Sequence, residues 1–359
     1  MPETLREVKH AQMQDLAEYR HHLYRNPSLR FLFLELTLRC NERCLHCGSS
    51  CGDVPSEELS LAQYQKILDQ VAADFDRSKV QLCITGGEPL LRKDFFEILG
   101  YAKSLGFGWG MTSNGTLITK DVAHRLKEAG MKTISVSIDG LPESHDAFRR
   151  TKHAYQKAMN GIQNLIAEGG FQAIQVTSVM NHGNLHELEE LYEIMKALDI
   201  DSWRIVGMEP MGRALQVPEL LLTMEDQKYL LDFIRERRME DMPVTYGCSH
   251  FLGDLYEREV RDHYFLCNAG IYTASICCNG DIVGCLDIER RPESIQGNIL
   301  QDRLLDVWQN GFAFFRRDLD ELDERCSACE QKAFCAGGAR HSFDYDANKQ
   351  RICMRELFI

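Results

Sequence analysis

Three cysteines stand at C-x3-C-x2-C spacing in Cys40-Asn-Glu-Arg-Cys44-Leu-His-Cys47, directly after the apolar run Phe31-Leu-Phe-Leu-Glu-Leu-Thr37. Thiolates this close together wrap a single loop around one metal centre. Their number is informative. A closed zinc or iron–sulfur site takes four protein ligands, and three leave one position open for chemistry. A [4Fe–4S] cluster on three cysteines has one iron free for a substrate or cofactor. The alternative is a zinc loop completed by His46, Cys51 or a distant residue.

A second cysteine field lies past about Ser249: Cys267, Cys277, Cys278 and Cys285, then Cys326-Ser-Ala-Cys329, Cys335 and Cys353. Cys326, Cys329, Cys335 and Cys353 make a set of four, which suits a cluster or structural zinc. Cys83 reads as a core residue and Cys51 as a bystander near the first loop.

The elements that position these groups alternate between strand and helix. An amphipathic helix over residues 1–30 (Leu5, Val8, Met13, Leu16, Tyr19, Leu23) precedes them. Strands are expected at Phe31–Thr37, Val80–Thr85, Phe107–Thr112, Thr133–Ile138, Ala173–Met180 and Trp203–Met208. Helices follow from Ser60 (with Gln63 as capping box), Phe95, Thr119, Tyr155, Leu185 and Thr223. Six β/α units in a row argue an α/β fold, a parallel sheet with right-handed crossovers that closes or partly closes as a barrel. Sites in such sheets form at the C-terminal strand ends. The cysteine loop, Gly86-Gly87-Glu88, Ser113-Asn114, Asp139-Gly140, Asn181 and Glu209-Pro210 all fall at that end. After residue 240 the pattern stops, giving a linker over 241–265 and a Cys-rich unit over 266–359.

Composition narrows the partners. The 359 residues carry a formal charge of −13 and are 44% hydrophobic, enough for one large core or two smaller ones. No basic block offers a phosphate footprint, so no nucleic-acid partner is expected. No apolar run nears the roughly 20 residues that span a bilayer. The charged N-terminus does not read as a signal peptide, and fourteen cysteines without one read as thiols or metal ligands in a cytoplasmic protein.

The cysteine loop after a first strand and Thr85-Gly-Gly-Glu-Pro89 after a second resemble the radical S-adenosylmethionine (SAM) enzymes. The resemblance implies a partial (β/α)6 barrel of the TIM type. It implies that Cys40, Cys44 and Cys47 hold a [4Fe–4S] cluster whose open iron chelates SAM, and that reductive cleavage yields a 5′-deoxyadenosyl radical. Gly86, Gly87 and Glu88 would hold the SAM ammonium, Ser137 and Asp139 the ribose, and Ser113 and Asn114 would lie near the same ligand. Arg149, in His145-Asp-Ala-Phe-Arg149, would meet the carboxylate, with Arg150 and Arg204 as alternatives. A flavodoxin or ferredoxin would supply the electron.

The order Cys267-x12-Gly280-x4-Cys285, then C-x2-C-x5-C and a last cysteine, resembles the SPASM domain, a small Cys-rich C-terminal extension that carries auxiliary clusters. One position departs: Ala339 stands where the family has a ligand of the first auxiliary cluster. The second cluster keeps Cys326, Cys329, Cys335 and Cys353. The first keeps Cys267 and Cys285, with Cys277, Cys278 or Cys248 to complete it. The resemblance implies modification of a peptide or protein substrate by crosslinking, epimerisation or side-chain oxidation. Alternatives are a small-molecule dehydrogenase or tetrapyrrole enzyme on the same scaffold, and a non-enzymatic zinc-binding interaction protein. By location, Glu209, Tyr246, Cys248 and His250 are candidates to give or take a proton opposite the radical.

Overall fold

The computed structural model describes residues 3–53, 57–238 and 240–357. The chain opens with α1 (Glu3–Arg25). Its buried positions are Lys9, Met13, Arg20 and Leu23, while Leu5, Val8 and Tyr19 remain exposed. The expected apolar stripe is therefore half replaced by cations, because this helix docks on carboxylates. Arg20 donates to both oxygens of Asp318 at 3.1 and 2.9 Å, and Lys9 pairs with Glu259.

Seven parallel strands follow: β1 (Phe31–Glu35), β2 (Gln81–Thr85), β3 (Trp109–Ser113), β4 (Met131–Ser137), β5 (Ala173–Met180), β6 (Ser202–Gly207) and β7 (Val244–Tyr246). The helices between them are α2 (Leu61–Asp74), α3 (Phe95–Ser104), α4 (Lys120–Glu128), α5 (Pro142–Phe148), α6 (Ala154–Glu168), α7 (Leu188–Ala197) and α8 (Met224–Arg237). Caps form where the sequence places them: Ser60 with Gln63 opens α2 as a capping box, Thr119 accepts from Val122, and Thr223 accepts from Asp226. Buried and half-buried positions alternate along β2, β5, β6 and most of β4, and Leu32, Leu34, Leu82, Ile84, Val136 and Val176 on the fully buried face are all buried to within 1%.

Most of the C-terminal strands join this same sheet, and among the described residues Phe343–Asp344 and Lys349–Gln350 pair apart from it as a two-stranded antiparallel ribbon. After α9 (Gly253–Tyr256), β8 (Thr273–Ile276) pairs in parallel with the free side of β1, Phe31 against Thr273 through Leu34 against Ile276. Then β9 (Asp281–Val283) and β10 (Gly297–Asn298) continue antiparallel. One ten-stranded sheet runs β10-β9-β8-β1-β2-β3-β4-β5-β6-β7, with β10 and β7 at its edges. Residues 241–265, read as linker, thus carry β7. The chain ends with α10 (Leu304–Asn310), α11 (Lys332–Cys335) and short turns. Among the described residues no helix is long and apolar enough to cross a membrane.

Candidate active site

The cysteine loop is seated by backbone contacts. Gly87 donates to the Thr37 carbonyl at 2.7 Å and Glu88 to that of Arg39 at 2.9 Å. A Cβ on Gly86 would lie 2.4 Å from the Thr37 oxygen, and one on Gly87 would lie 2.2 Å from the Arg39 oxygen. The two glycines therefore admit the cysteine loop itself, and they also face the cavity. From the β6 side, Arg213 donates to the carbonyls of Cys44 (2.7 Å) and Cys51 (3.1 Å). Gly212, at φ +53°, brings its backbone so close that a Cβ would meet the Cys47 and Gly48 oxygens at 2.4 Å. Neither Gly212 nor Arg213 was singled out from sequence. Their only signal was a position just past the end of β6.

Cys40, Cys44 and Cys47 line a hollow of about 260 Å³ together with Gly86, Gly87, Ser113, Asn114, Ser137 and Arg149. All three thiols are free. Burial pushes Cys40 up to about 11 and Cys44 further up, whereas the Cys51 thiol hydrogen-bonded to Cys47 brings the latter down to about 6. Metal ligation needs thiolates, so loading this loop would release the protons these thiols hold.

A buried charge brace, with Glu42 and Arg149 on the wall of the hollow, lies beside it. Arg149 donates to Glu42 at 2.8 Å and to Asp139 at 2.7 and 2.8 Å, and both carboxylates are fully buried. Burial raises Asp139, but Arg149, His46, His145 and the Val179 amide together outweigh it, and the group ends below the usual range. Glu42 stays raised by burial. Asp139 also accepts from the Val179 amide at 2.8 Å. His145 accepts from the Asp139 amide at 2.9 Å, and burial lowers its imidazole to about 4. The His145-to-Arg149 stretch is thus tied to Asp139 at the end of β4 and to Glu42 in the cysteine loop. Glu88 is buried too. Its carboxylate accepts from Ser113 (3.0 Å), the Asn114 amide (2.9 Å) and the Leu90 amide (3.2 Å), and burial pushes it up to about 7. It ties the end of β2 to the end of β3. Asn181 closes a turn onto the Gly183 amide, and Arg204 donates to Thr177 at 3.1 Å.

The second cysteine field divides in two. Cys326, Cys329, Cys335 and Cys353 interact with one another electrostatically. Asp323 fixes their frame by accepting from the amides of Arg325 (3.0 Å) and Gln350 (2.9 Å). Cys267 and Cys285 lie instead with Cys248 and Asp287. Cys278, expected as a metal candidate of this field, is placed elsewhere. It packs with Leu38, Cys51, Cys40 and Cys47, and its amide donates to Glu35 at 3.2 Å. Cys83 sits half-buried on β2, with its thiol pushed up to about 12 by burial.

Glu209 and His250, both named from sequence, meet at 2.8 Å, and His341, missed in sequence, lies 3.5 Å from the same carboxylate oxygen. Burial opposes the Glu209 charge, but the two imidazoles outweigh it and hold the carboxyl well below its ordinary value. His341 is raised in turn by Glu209 despite its burial. Tyr246 is buried nearby, and its hydroxyl has no hydrogen bond among the described residues.

Residues 34–198 match the radical SAM superfamily, and residues 267–330 match SPASM, an iron–sulfur cluster-binding domain. The chain is 30% identical over 322 residues to an AdoMet-dependent heme synthase of Methanosarcina barkeri, covering 86% of this chain and 90% of that one. It is 32% identical over 311 residues to the mycofactocin maturase MftC of Mycobacterium tuberculosis, covering 85% and 76%. Among solved structures, Streptococcus suis SuiB bound to S-adenosylmethionine superposes with a TM-score of 0.70 at 18% identity, over 91% of this chain and 77% of that one. The chain belongs to the radical SAM family and carries a SPASM domain. It is an enzyme whose cofactors are SAM, a [4Fe–4S] cluster and auxiliary iron–sulfur clusters.

Proposed function

We propose that this enzyme oxidatively modifies a side chain of a peptide or protein in the hollow beside the cysteine loop. The observation that carries this reading is that the hollow beside the first cysteine loop is bounded by the residues that follow Cys285 of the second field. Its wall includes Cys40, Cys44 and Cys47 on one side and Leu286 and Asp287, which follow Cys285, on the other. A substrate there lies between the place where a radical is made and a place that can take up an electron. Bound SAM and its cluster supply the 5′-deoxyadenosyl radical. Cys40, Cys44 and Cys47 hold that cluster, while Gly86, Gly87, Ser113, Asn114 and Ser137 bound the SAM site. Arg149 faces the same hollow and stays oriented by its brace, while Asp139 and Glu88 act from behind. Cys326, Cys329, Cys335 and Cys353 hold an auxiliary cluster. A flavodoxin or ferredoxin delivers the first electron.

The peptide substrate follows from the similarity to a mycofactocin maturase along most of the chain. A tetrapyrrole substrate is the second reading, favoured by the similarity to an AdoMet-dependent heme synthase across 90% of that protein. Anaerobic reconstitution with SAM and reductant tests both. Short peptides encoded beside this protein are expected to raise 5′-deoxyadenosine release and to change in mass. Release and product formation with an iron porphyrin alone would overturn the peptide reading.

A further inference from the structure

The SPASM pattern of this chain lacks one thiol, because Ala339 occupies the position. Ala339 is 1% exposed and packs with Met13, Phe251 and Phe265, with Cys267 and Cys335 at the rim of that cluster. Three other cysteines outside the assigned sets could serve in its place: Cys277, Cys278 and Cys248. Cys278 faces the first cysteine loop. Cys277 lies beside Glu35 and Arg290 at the end of β8.

We propose that Cys248, from the loop after β7, replaces the missing SPASM thiol, so that Cys248, Cys267 and Cys285 hold an auxiliary [4Fe–4S] cluster between the barrel and the C-terminal domain. The loop is built for this. The fully buried Arg261 donates to the carbonyls of Gly247 (3.1 Å), Ser249 (2.9 Å) and His250 (2.7 Å), fixing the backbone on both sides of Cys248. Two contacts then press this loop onto the segment that should have carried the cysteine. Phe251 packs with Ala339, and the rings of His250 and His341 lie 6.1 Å apart. Cys267 touches the same apolar cluster, and the Cys285 thiol interacts with both Cys248 and Cys267. Three thiolates would leave one iron of such a cluster without a cysteine, and Asp287 lies close to Cys248 and also lines the hollow. Ligation costs each thiol its proton and leaves its sulfur at the thiolate level. The assignment rests on family membership and not on the substrate, so failure of the peptide test leaves it standing.

The test is iron and sulfide content, with EPR and Mössbauer spectra, on the full chain reconstituted anaerobically. The expected wild-type content is about 12 irons, and Cys248→Ala should lose about four of them together with one set of spectral lines. Cys277→Ala should keep them all. The double variant Cys248→Ala/Ala339→Cys should regain the lost irons, because it restores the family ligand. Should Cys248→Ala fold poorly, Cys248→Ser carries the test: a shifted EPR signature of one cluster is expected. Identical iron and spectra in wild type and both Cys248 variants, or a wild type with only about eight irons, would overturn the assignment.

Discussion

The two cysteine fields solve one problem by opposite means. The first is local: three thiols on eight residues, seated by carbonyls that press against Gly86, Gly87 and Gly212. Its geometry is set by backbone, and its charges are settled beside it by the Glu42–Arg149–Asp139 brace. The second is assembled from distant pieces of the chain. Cys248 comes from the barrel edge and Cys353 from near the C-terminus, and side chains such as Arg261, Asp323 and Gln350 hold the frame. A site fixed by backbone should fail when a single Cβ is added. A site fixed by side chains should yield one contact at a time.

The largest effect belongs to the brace of the local site. Arg149→Met leaves two buried carboxylates without their cation. Removing one partner of a buried ion pair costs about 3–5 kcal/mol, and a loss of that size is expected in urea unfolding of the cofactor-free chain. Arg149→Lys should lose less, since it keeps the charge but not the bidentate geometry. Equal stability of wild type and Arg149→Met would mean that the brace is not needed to hold the loop.

Next comes Gly87→Ala. Its Cβ would stand 2.2 Å from a backbone oxygen and 3.0 Å from the Cys40 Cβ, and neither neighbour is a flexible side-chain tip. Overpacking costs about 1–3 kcal/mol. Displacing the reacting geometry by about 1 Å should cut 5′-deoxyadenosine release on the order of 100-fold. Irons of the C-terminal field should stay, counted by spectroscopy. Loss of both fields together would erase the contrast between them.

The same contrast explains what could be read from sequence. Periodicity and caps revealed six β/α units, because Ser60, Thr119 and Thr223 signal helix starts by short-range hydrogen bonds. The first cysteine loop was equally legible, being contiguous. What escaped was long-range. Nothing in Thr273–Ile276, four fully buried residues without alternation, announces a strand that pairs with β1. His341 carried no signal of its own, since its partner Glu209 lies 132 residues away in sequence. Cys278 looked like a member of the second field by proximity in sequence, yet the return of β8 to β1 carries it to the first.

The smallest predicted effect probes the side-chain-built region by pH. Glu209 is depressed by His250 and His341, so its contribution to stability is present above the unfolded carboxylate value of about 4.3 and is lost as pH falls below that. His341 is raised by Glu209, so its contribution is full below the unfolded imidazole value of about 6.5 and fades as pH rises through its higher folded value. The pair therefore stabilises most between about pH 4.3 and 6.5. At 3.5 Å the contact is long, and His250 retains the shorter one. His341→Gln should cost only about 1 kcal/mol near pH 6, and the gap to wild type should close toward alkaline pH. Thermal unfolding of the cofactor-free chain from pH 5 to 9 measures this. A gap that stays constant with pH would mean that His341 is held neutral and acts by packing alone, so the junction would owe nothing to its charge.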